Sequence, residues 1–164
     1  MLLLRRALPP KGVKSPETGR INMSCLFCKI IDGTAPSYKV YEDEHTVAFL
    51  DINPVADGHV LLIPREHTMY IEELPEETSE ALMKTLINIA PPIQRAMNAK
   101  DSNIGINNGP NAGQIIPHVH IHIIPRPTKA GVLLFSSVAR FKPRSSEYYA
   151  EIAEKIRIEI EASR

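Results

Sequence analysis

Apolar and polar residues alternate most sharply near residue 120. Successive side chains of an extended segment point to opposite faces. Residues 118–124 would therefore place three histidines on one face and apolar residues on the other: His118, His120 and His122 against Val119, Ile121 and Ile123. The pattern predicts a strand that packs with one face and does chemistry with the other.

Three other stretches predict four further strands. Residues 37–50 predict a hairpin whose polar turn lies at 42–45. Residues 59–63 are a short apolar run that ends at Pro64, and residues 103–107 would pair with 118–124 across a glycine-containing loop. The spacing predicts short antiparallel strands with helices inserted between them.

Two stretches have helical periodicity. The first covers residues 74–100, with Pro75 in its first turn and an apolar stripe formed by Leu82, Leu86, Ile89, Ile93 and Met97. We expect Pro91 and Pro92 to break or kink this helix. The second covers residues 147–161 and carries Ile152, Ile156 and Ile160 on one face, which we expect to dock on the body of the protein or on a partner subunit.

The length of 164 residues suits one domain with tails. We expect an N-terminal extension at 1–22, a domain at 23–130 and a C-terminal tail with a helix at 131–164. The 19 basic and 19 acidic residues cancel, so no global field attracts nucleic acid or a membrane. No apolar run reaches the roughly 18 residues of a spanning helix. A soluble protein with a small-molecule ligand is expected.

The first 22 residues are basic, with no acidic residue before Glu17. This composition resembles a mitochondrial transit peptide, although three prolines would interrupt an amphipathic helix. A disordered extension and a second translation start at Met23 are the alternatives. We expect a cytoplasmic protein with access to the nucleus, and mitochondrial import is the alternative.

Three of the six histidines fall within five residues. A half-buried strand with a polar face is the plain alternative, but histidine has no special preference for strands. His118 and His122 would lie about 13 Å apart along a strand, too far to share an ion held at about 2 Å. The glycine-containing loop at 107–114 could instead bring backbone close to an anionic phosphate, although most such loops are only turns.

Cys25 and Cys28 have the spacing of half a zinc site. A redox pair would need a strand-to-helix context that this segment does not clearly supply. Two buried, metal-free thiols are the third interpretation.

The histidine segment, with Gly113 and Gln114 before it, resembles the signature of the histidine triad (HIT) superfamily of nucleotide-binding proteins. Residues 25–31, 48–54 and 58–67 match further motifs in order, so the resemblance covers about residues 24–126. It implies an α+β fold with an antiparallel five-stranded sheet, a main helix and a C-terminal helix. It also implies a homodimer.

The resemblance assigns His120 as the nucleophile, His122 as a phosphate contact, and His118 and His59 as residues that hold the geometry. It also implies a nucleotide site, in which Asp51 binds the ribose. The base would lie between Phe27, Ile30, Phe49 and Ile52, and the phosphate would contact backbone near Gly113 and Gln114, with Asn107. Zinc-binding members of the superfamily use positions that match Cys25, Cys28, His67 and His118, so the resemblance implies structural zinc.

The implied reaction is cleavage at the α-phosphorus of an adenosine or other purine 5′-phosphoramidate through a nucleotidyl-histidine intermediate, with release of AMP. Phosphoramidase members carry a serine two residues after the loop glycine, where this chain has Ile115. That departure keeps two alternatives open. One is a diadenosine polyphosphate hydrolase, and the other is a nucleotide-binding interaction module with little turnover.

Overall fold

The alternating and apolar stretches form a single sheet with helices on both faces. In a computed structural model, residues 22, 24–128 and 144–164 are described. The elements, in chain order, are α1 (Leu26–Ile31), β1 (Lys39–Glu42), β2 (Thr46–Leu50), β3 (Val60–Pro64), α2 (Glu76–Ala96), β4 (Asp101–Gly105), β5 (Ile121–Arg126) and α3 (Ser146–Glu161). Of the N-terminal extension predicted at 1–22 only residue 22 is described, and residues 129–143, which include the first part of the predicted C-terminal tail, lie outside the described residues.

The sheet has five antiparallel strands in the order β1-β2-β3-β5-β4. This topology confirms the α+β fold implied by the resemblance. Val60 of β3 lies opposite Ile123 of β5, and Gly105 of β4 lies opposite His122. The histidine segment therefore enters the sheet between β3 and β4, the two strands that pair with β5.

Each face of the sheet buries its own apolar cluster. On one face α2 and α3 cover alternate residues of the strands, including Ile121 and Ile123, together with Val119 just before β5. On the other face α1 covers a second set, including Phe49, Leu61 and Ile63. The predicted apolar side of the histidine segment is confirmed, because its three apolar residues all lie under the long helices.

The strand around the histidines is shorter than the alternation predicts. β5 starts at Ile121, so His118 and His120 precede it. The β3–β5 pairing stops at Leu62 and Ile121. Upstream of that point the backbone N–H of Val119 donates to the carbonyl of Thr68 instead of to a strand. The strands predicted at 59–63 and 103–107 are similarly shifted, by one and two residues.

α2 runs without interruption from Glu76 to Ala96 and contains both Pro91 and Pro92. Of the predicted break or kink, the break is therefore wrong. Each proline removes one hydrogen bond to the carbonyl four residues earlier, that is, to Ile87 or Asn88. Both residues lie on the exposed side of the helix, where water can bind the carbonyls. Four residues of the predicted apolar stripe are buried against the sheet, and Met97, which follows the helix, is partly buried.

α3 begins after Ser145, whose side chain accepts a hydrogen bond from the backbone N–H of Tyr148. Its apolar face is buried in the same cluster as α2, as predicted for Ile152, Ile156 and Ile160. The helix therefore docks on the body of its own subunit. Within the described ranges no helix has the length and apolar character needed to cross a membrane.

Candidate active site

The ring of His120 is held by the backbone of its own segment. Its Nδ1 lies 2.7 Å from the carbonyl oxygen of His118. A carbonyl can only accept a hydrogen bond, so Nδ1 carries the proton and Nε2 keeps its lone pair. Phe27 packs edge-on against the ring at 5.3 Å between centroids, which restricts its rotation. The arrangement presents a neutral imidazole with a defined nucleophilic nitrogen.

His59 and His122 form a hydrogen-bonded pair, with Nε2 of His59 lying 2.9 Å from Nδ1 of His122. The backbone N–H of Val55 donates to Nδ1 of His59, at 3.3 Å. Nδ1 of His59 is therefore the acceptor, and its Nε2 is the donor to His122. The remaining proton of His122 then lies on Nε2. This tautomer makes His122 a hydrogen-bond donor on the sheet face that carries the site.

The site histidines are neutral near neutral pH. Burial lowers the pKa of His59 and of His122 to about 3 and that of His118 to about 4, and neighbouring imidazoles contribute to each shift. Burial also lowers the pKa of His120, although its bond to a carbonyl and the charge of Asp51 oppose the shift. Asp51 lies 3.6 Å from Nδ1 of His59, but a neutral imidazole makes no ion pair with it.

Gln114 ties the glycine loop to its surroundings. Its Oε1 accepts a 2.7 Å hydrogen bond from the backbone N–H of Gly109. Its Nε2 donates to the carbonyls of Met69 and Ile116, both at 3.0 Å, and the carbonyl of His118 lies 3.4 Å away. The side chain is buried and serves the loop, so it is committed before any ligand arrives.

The backbone donors expected at the loop are also engaged. The N–H of Gly113 donates to Pro110 and that of Gln114 to Gly109, within the loop itself. Asn107 donates to the carbonyl of Gly113, at 3.4 Å. Gly113 has a φ of 90°, a conformation that favours glycine. A phosphate that contacts this loop would have to share these bonds.

Three of the four residues expected around the base lie together. Phe27, Ile30 and Phe49 belong to the buried cluster under α1, and the two aromatic rings meet edge-on at 5.4 Å. Ile52 stands apart, with 60% of its surface exposed. Asp51 is next to it in sequence, and burial raises the pKa of its carboxyl group.

The four predicted zinc ligands converge. Nδ1 of His118 lies 3.3 Å from Nδ1 of His67, 3.6 Å from Sγ of Cys25 and 3.7 Å from Sγ of Cys28, and Cys28 lies 3.4 Å from His67. Tetrahedral zinc with its usual bond lengths separates two nitrogens by about 3.3 Å and a nitrogen from a sulfur by about 3.6 Å. The donor atoms therefore fit a metal ion of that geometry.

His118 belongs to both parts of the site. Its Nε2 lies 2.9 Å from the carbonyl of Pro64, so this nitrogen is protonated and Nδ1 directs its lone pair at the cysteines. Such a second bond is usual for a metal-binding histidine. Its backbone carbonyl meanwhile holds His120. The candidate metal cluster and the candidate nucleophile are thus joined through one residue.

Several supporting contacts were missed by the sequence analysis. The carbonyls of Pro64 and Thr68 hold the histidine segment, and Asn108 anchors the glycine loop by accepting a hydrogen bond from the backbone N–H of Ile71, at 2.9 Å. Backbone carbonyls carry no signal in a sequence. Asn108 lies inside the predicted loop, but nothing in the sequence indicates its distant partner.

Comparison with known proteins finds similar sequences. A sequence profile described as the HIT domain matches residues 32–129. The adenylylsulfatase HINT3 of Arabidopsis thaliana is 42% identical over 110 residues, which cover 67% of this chain and 56% of that protein. The adenosine 5′-monophosphoramidase HNT1 of Saccharomyces cerevisiae is 38% identical over 123 residues, 74% of each chain.

The same similarity extends to solved structures. The crystal structure of a zinc-bound histidine triad family protein from Mycobacterium smegmatis superimposes with a TM-score of 0.71 at 33% identity. The match covers 85% of this chain and 95% of that chain. At this level of identity and coverage the two folds are comparable.

Proposed function

The chain belongs to the HIT domain family, and from that premise we propose that it is a nucleotide hydrolase that forms a covalent nucleotidyl-histidine intermediate on His120. The observation that carries this proposal is the 2.7 Å bond from Nδ1 of His120 to a backbone carbonyl, which leaves Nε2 unprotonated. An activated nucleophile needs such an orienting partner.

The proposed reaction has two steps. The lone pair on Nε2 of His120 attacks the α-phosphorus of a purine nucleotide, and the bond from phosphorus to the leaving group breaks, with its electron pair departing on that group. A leaving amine takes up a proton from solvent as this bond breaks. Water then attacks the phosphorus, gives up a proton to solvent and releases AMP, and the electron pair of the P–N bond returns to Nε2. The Nε2–H of His122 donates to the phosphoryl oxygens in both steps, as an oriented donor does.

The leaving group is the less defined part of the substrate. Adenosine 5′-phosphoramidates are the proposed substrates, because a relative that is 38% identical is named as an adenosine 5′-monophosphoramidase. Ile115 cannot donate a proton to a departing amine, and its side chain is 81% exposed. That observation favours a second candidate, a diadenosine polyphosphate hydrolase, whose leaving phosphate needs less help from an acid.

The test of the proposal is a His120→Ala variant assayed with an adenosine phosphoramidate and with diadenosine tetraphosphate. We expect the variant to bind AMP within a few-fold of the wild type and to lose turnover of whichever substrate the wild type cleaves. Substrate labelled in the α-phosphate should leave label on His120 of the quenched wild type. A wild type that binds AMP but cleaves neither substrate would instead be a nucleotide-binding module.

We also propose that zinc fills the cluster of Cys25, Cys28, His67 and His118 and has a structural role. The matching interatomic distances support this proposal, as does the zinc-bound relative. Zinc with four protein ligands has no open position for a substrate. In this site the metal would hold α1 against the sheet, and the protein's own residues would perform the chemistry.

A homodimer is proposed as the working form. Strand β4 lies at an edge of the sheet and carries Ile104, which is 44% exposed. On α2, Met83 and Ile87 are 50% and 65% exposed and lie four residues apart, on one side of the helix. Sedimentation of the wild type beside an Ile87→Glu variant would test whether this apolar surface joins two subunits.

A further inference from the structure

The C-terminal helix reaches the turn that carries the proposed ribose-binding carboxylate. Tyr149 of α3 is buried, and its hydroxyl donates a 3.0 Å hydrogen bond to the backbone carbonyl of Ile52. The ring stacks on Tyr38 with 5.1 Å between centroids and 27° between planes. Two constraints therefore fix this hydroxyl in place. Tyr149 itself lies outside residues 32–129, the range that the HIT domain profile matches.

Residues 51–53 make two further hydrogen bonds within the described part of the chain. Asp51 donates its backbone N–H to the carbonyl of His59, and its side chain accepts a 2.8 Å hydrogen bond from the N–H of Asn53. Ile52 and Asn53 are both exposed. The carbonyl that Tyr149 binds belongs to Ile52, the residue between Asp51 and Asn53. Apart from its 3.6 Å approach to Nδ1 of His59, the carboxylate is oriented by the N–H of Asn53, and the contact from α3 holds the peptide group to which that N–H belongs.

The surroundings of Tyr149 keep its hydroxyl protonated, so that it can donate a hydrogen bond. Burial raises the pKa of its hydroxyl, and the negative charge of Asp51 contributes to the same shift. The proton therefore stays on the oxygen at working pH. A second link, between Arg144 and Asp57 at 3.5 Å, joins the same two segments. Because both of its side chains are exposed, that ion pair contributes little.

We propose that α3 positions the nucleotide site and that Tyr149 is its positioning residue, which acts through the carbonyl of Ile52 to fix Asp51 for the sugar of the nucleotide. The inference rests on the proposed nucleotide-binding function. Tyr149 touches no reacting atom in this arrangement, so its effect should fall on nucleotide affinity and not on the chemical steps.

The test compares Tyr149→Phe with Tyr38→Phe in the full chain. Both variants lose one hydroxyl from the same stacked pair, but no hydrogen bond by the hydroxyl of Tyr38 is found among the described residues. We expect Tyr149→Phe to bind AMP about three- to tenfold more weakly in calorimetry and to raise KM by a similar factor, the size of one hydrogen bond. Its kcat should stay within about twofold of the wild type, and Tyr38→Phe should match the wild type throughout.

Hydrogen exchange supplies a measurement that does not depend on any ligand. Peptides that cover residues 50–56 should exchange faster in Tyr149→Phe than in the wild type or in Tyr38→Phe. Unchanged exchange and unchanged AMP affinity in Tyr149→Phe would overturn the inference, as would an equal loss in both variants. A wild type that binds no AMP while Tyr149→Phe still exchanges faster would overturn the proposed function and the nucleotide role of Tyr149, but not the contact.

Discussion

Single nitrogen atoms determine what the buried histidines can do. Carbonyls of His118 and Pro64 fix the protonated nitrogens of His120 and His118. The alternation of the segment is enough to predict that the histidines share a face. It could not predict which nitrogen carries the proton, because the tautomers depend on carbonyls brought close by folding.

Ile115 provides a direct test of leaving-group assistance. We expect Ile115→Ser to raise turnover of an adenosine phosphoramidate by about tenfold, a modest share of what a placed acid can contribute. Turnover of diadenosine tetraphosphate should change little, because its leaving phosphate is already acidic. Steady-state kcat/KM with both substrates measures the ratio.

The matched control is Ile115→Ala, which removes the exposed side chain without adding a hydroxyl. If the alanine variant gains as much phosphoramidate turnover as the serine variant, the effect comes from space and not from proton donation.

The turn between β1 and β2 is built around one carboxylate. Oδ1 of Asp43 accepts hydrogen bonds from the backbone N–H groups of His45 and Thr46, at 2.9 and 2.7 Å, and Oδ2 accepts one from the hydroxyl of Tyr41. Burial would raise the pKa of Asp43, but these bonds outweigh it and the pKa is lowered. The polar turn was predictable from the sequence, whereas its central residue was not.

The lowered pKa of Asp43 makes the stability of the fold depend on pH. A carboxyl group with a lower pKa in the folded chain adds stability above its unfolded pKa of about 3.8, and that contribution is lost as the pH falls through the lower, folded value. We expect Asp43→Asn to unfold with a free energy about 1–2 kcal/mol smaller than that of the wild type at pH 7. The difference should shrink below pH 4.

Urea unfolding at pH 7 and near pH 3 measures both differences. Glu44→Gln serves as the control, because Glu44 lies in the same turn with an exposed side chain. A stability difference for Asp43→Asn that is equally large at both pH values would show that the charge of the carboxylate is not the cause.

Helix α2 shows where local sequence rules give way to packing. Pro91 and Pro92 predict a break, yet the helix continues to Ala96. Buried contacts of Ile89 and Ile93 on either side of the prolines hold the helix on the sheet. Tertiary burial of that apolar face outweighs two lost hydrogen bonds whose carbonyls face water.

The metal cluster joins parts of the chain that are far apart in sequence. Cys25 and Cys28 lie at the start of α1, whereas His67 and His118 come from segments that follow β3 in the chain. If zinc is bound there, the chain should be stabilised in proportion to its affinity. If zinc is present at about a thousand times its Kd, we expect a strong chelator to lower Tm by about 10 °C.

A Cys25→Ser, Cys28→Ser double variant should start from the lower Tm and should not respond to the chelator. Elemental analysis of the untreated wild type should give about one zinc per chain. Wild-type protein that contains only trace metal, with a Tm unaffected by chelation, would contradict the structural role.

The architecture as a whole was accessible from the sequence, but its long-range contacts were not. The five strands, the two long helices and the apolar face of α3 follow from periodicity and from the family motifs. The bond from Tyr149 to Ile52 joins residues 97 positions apart and has no sequence signature. Folding alone brings the C-terminal helix to the proposed nucleotide site.

The strict two-residue repeat around β5 also restricts how the gene can change length. Adding or deleting one codon between His118 and His122 would move the side chains on one side of the change to the opposite face. Imidazoles would then lie under the helices, and isoleucines would face the proposed nucleotide site. Inherited insertions and deletions in related genes should therefore avoid this short window and accumulate before Asn107 or after Arg126.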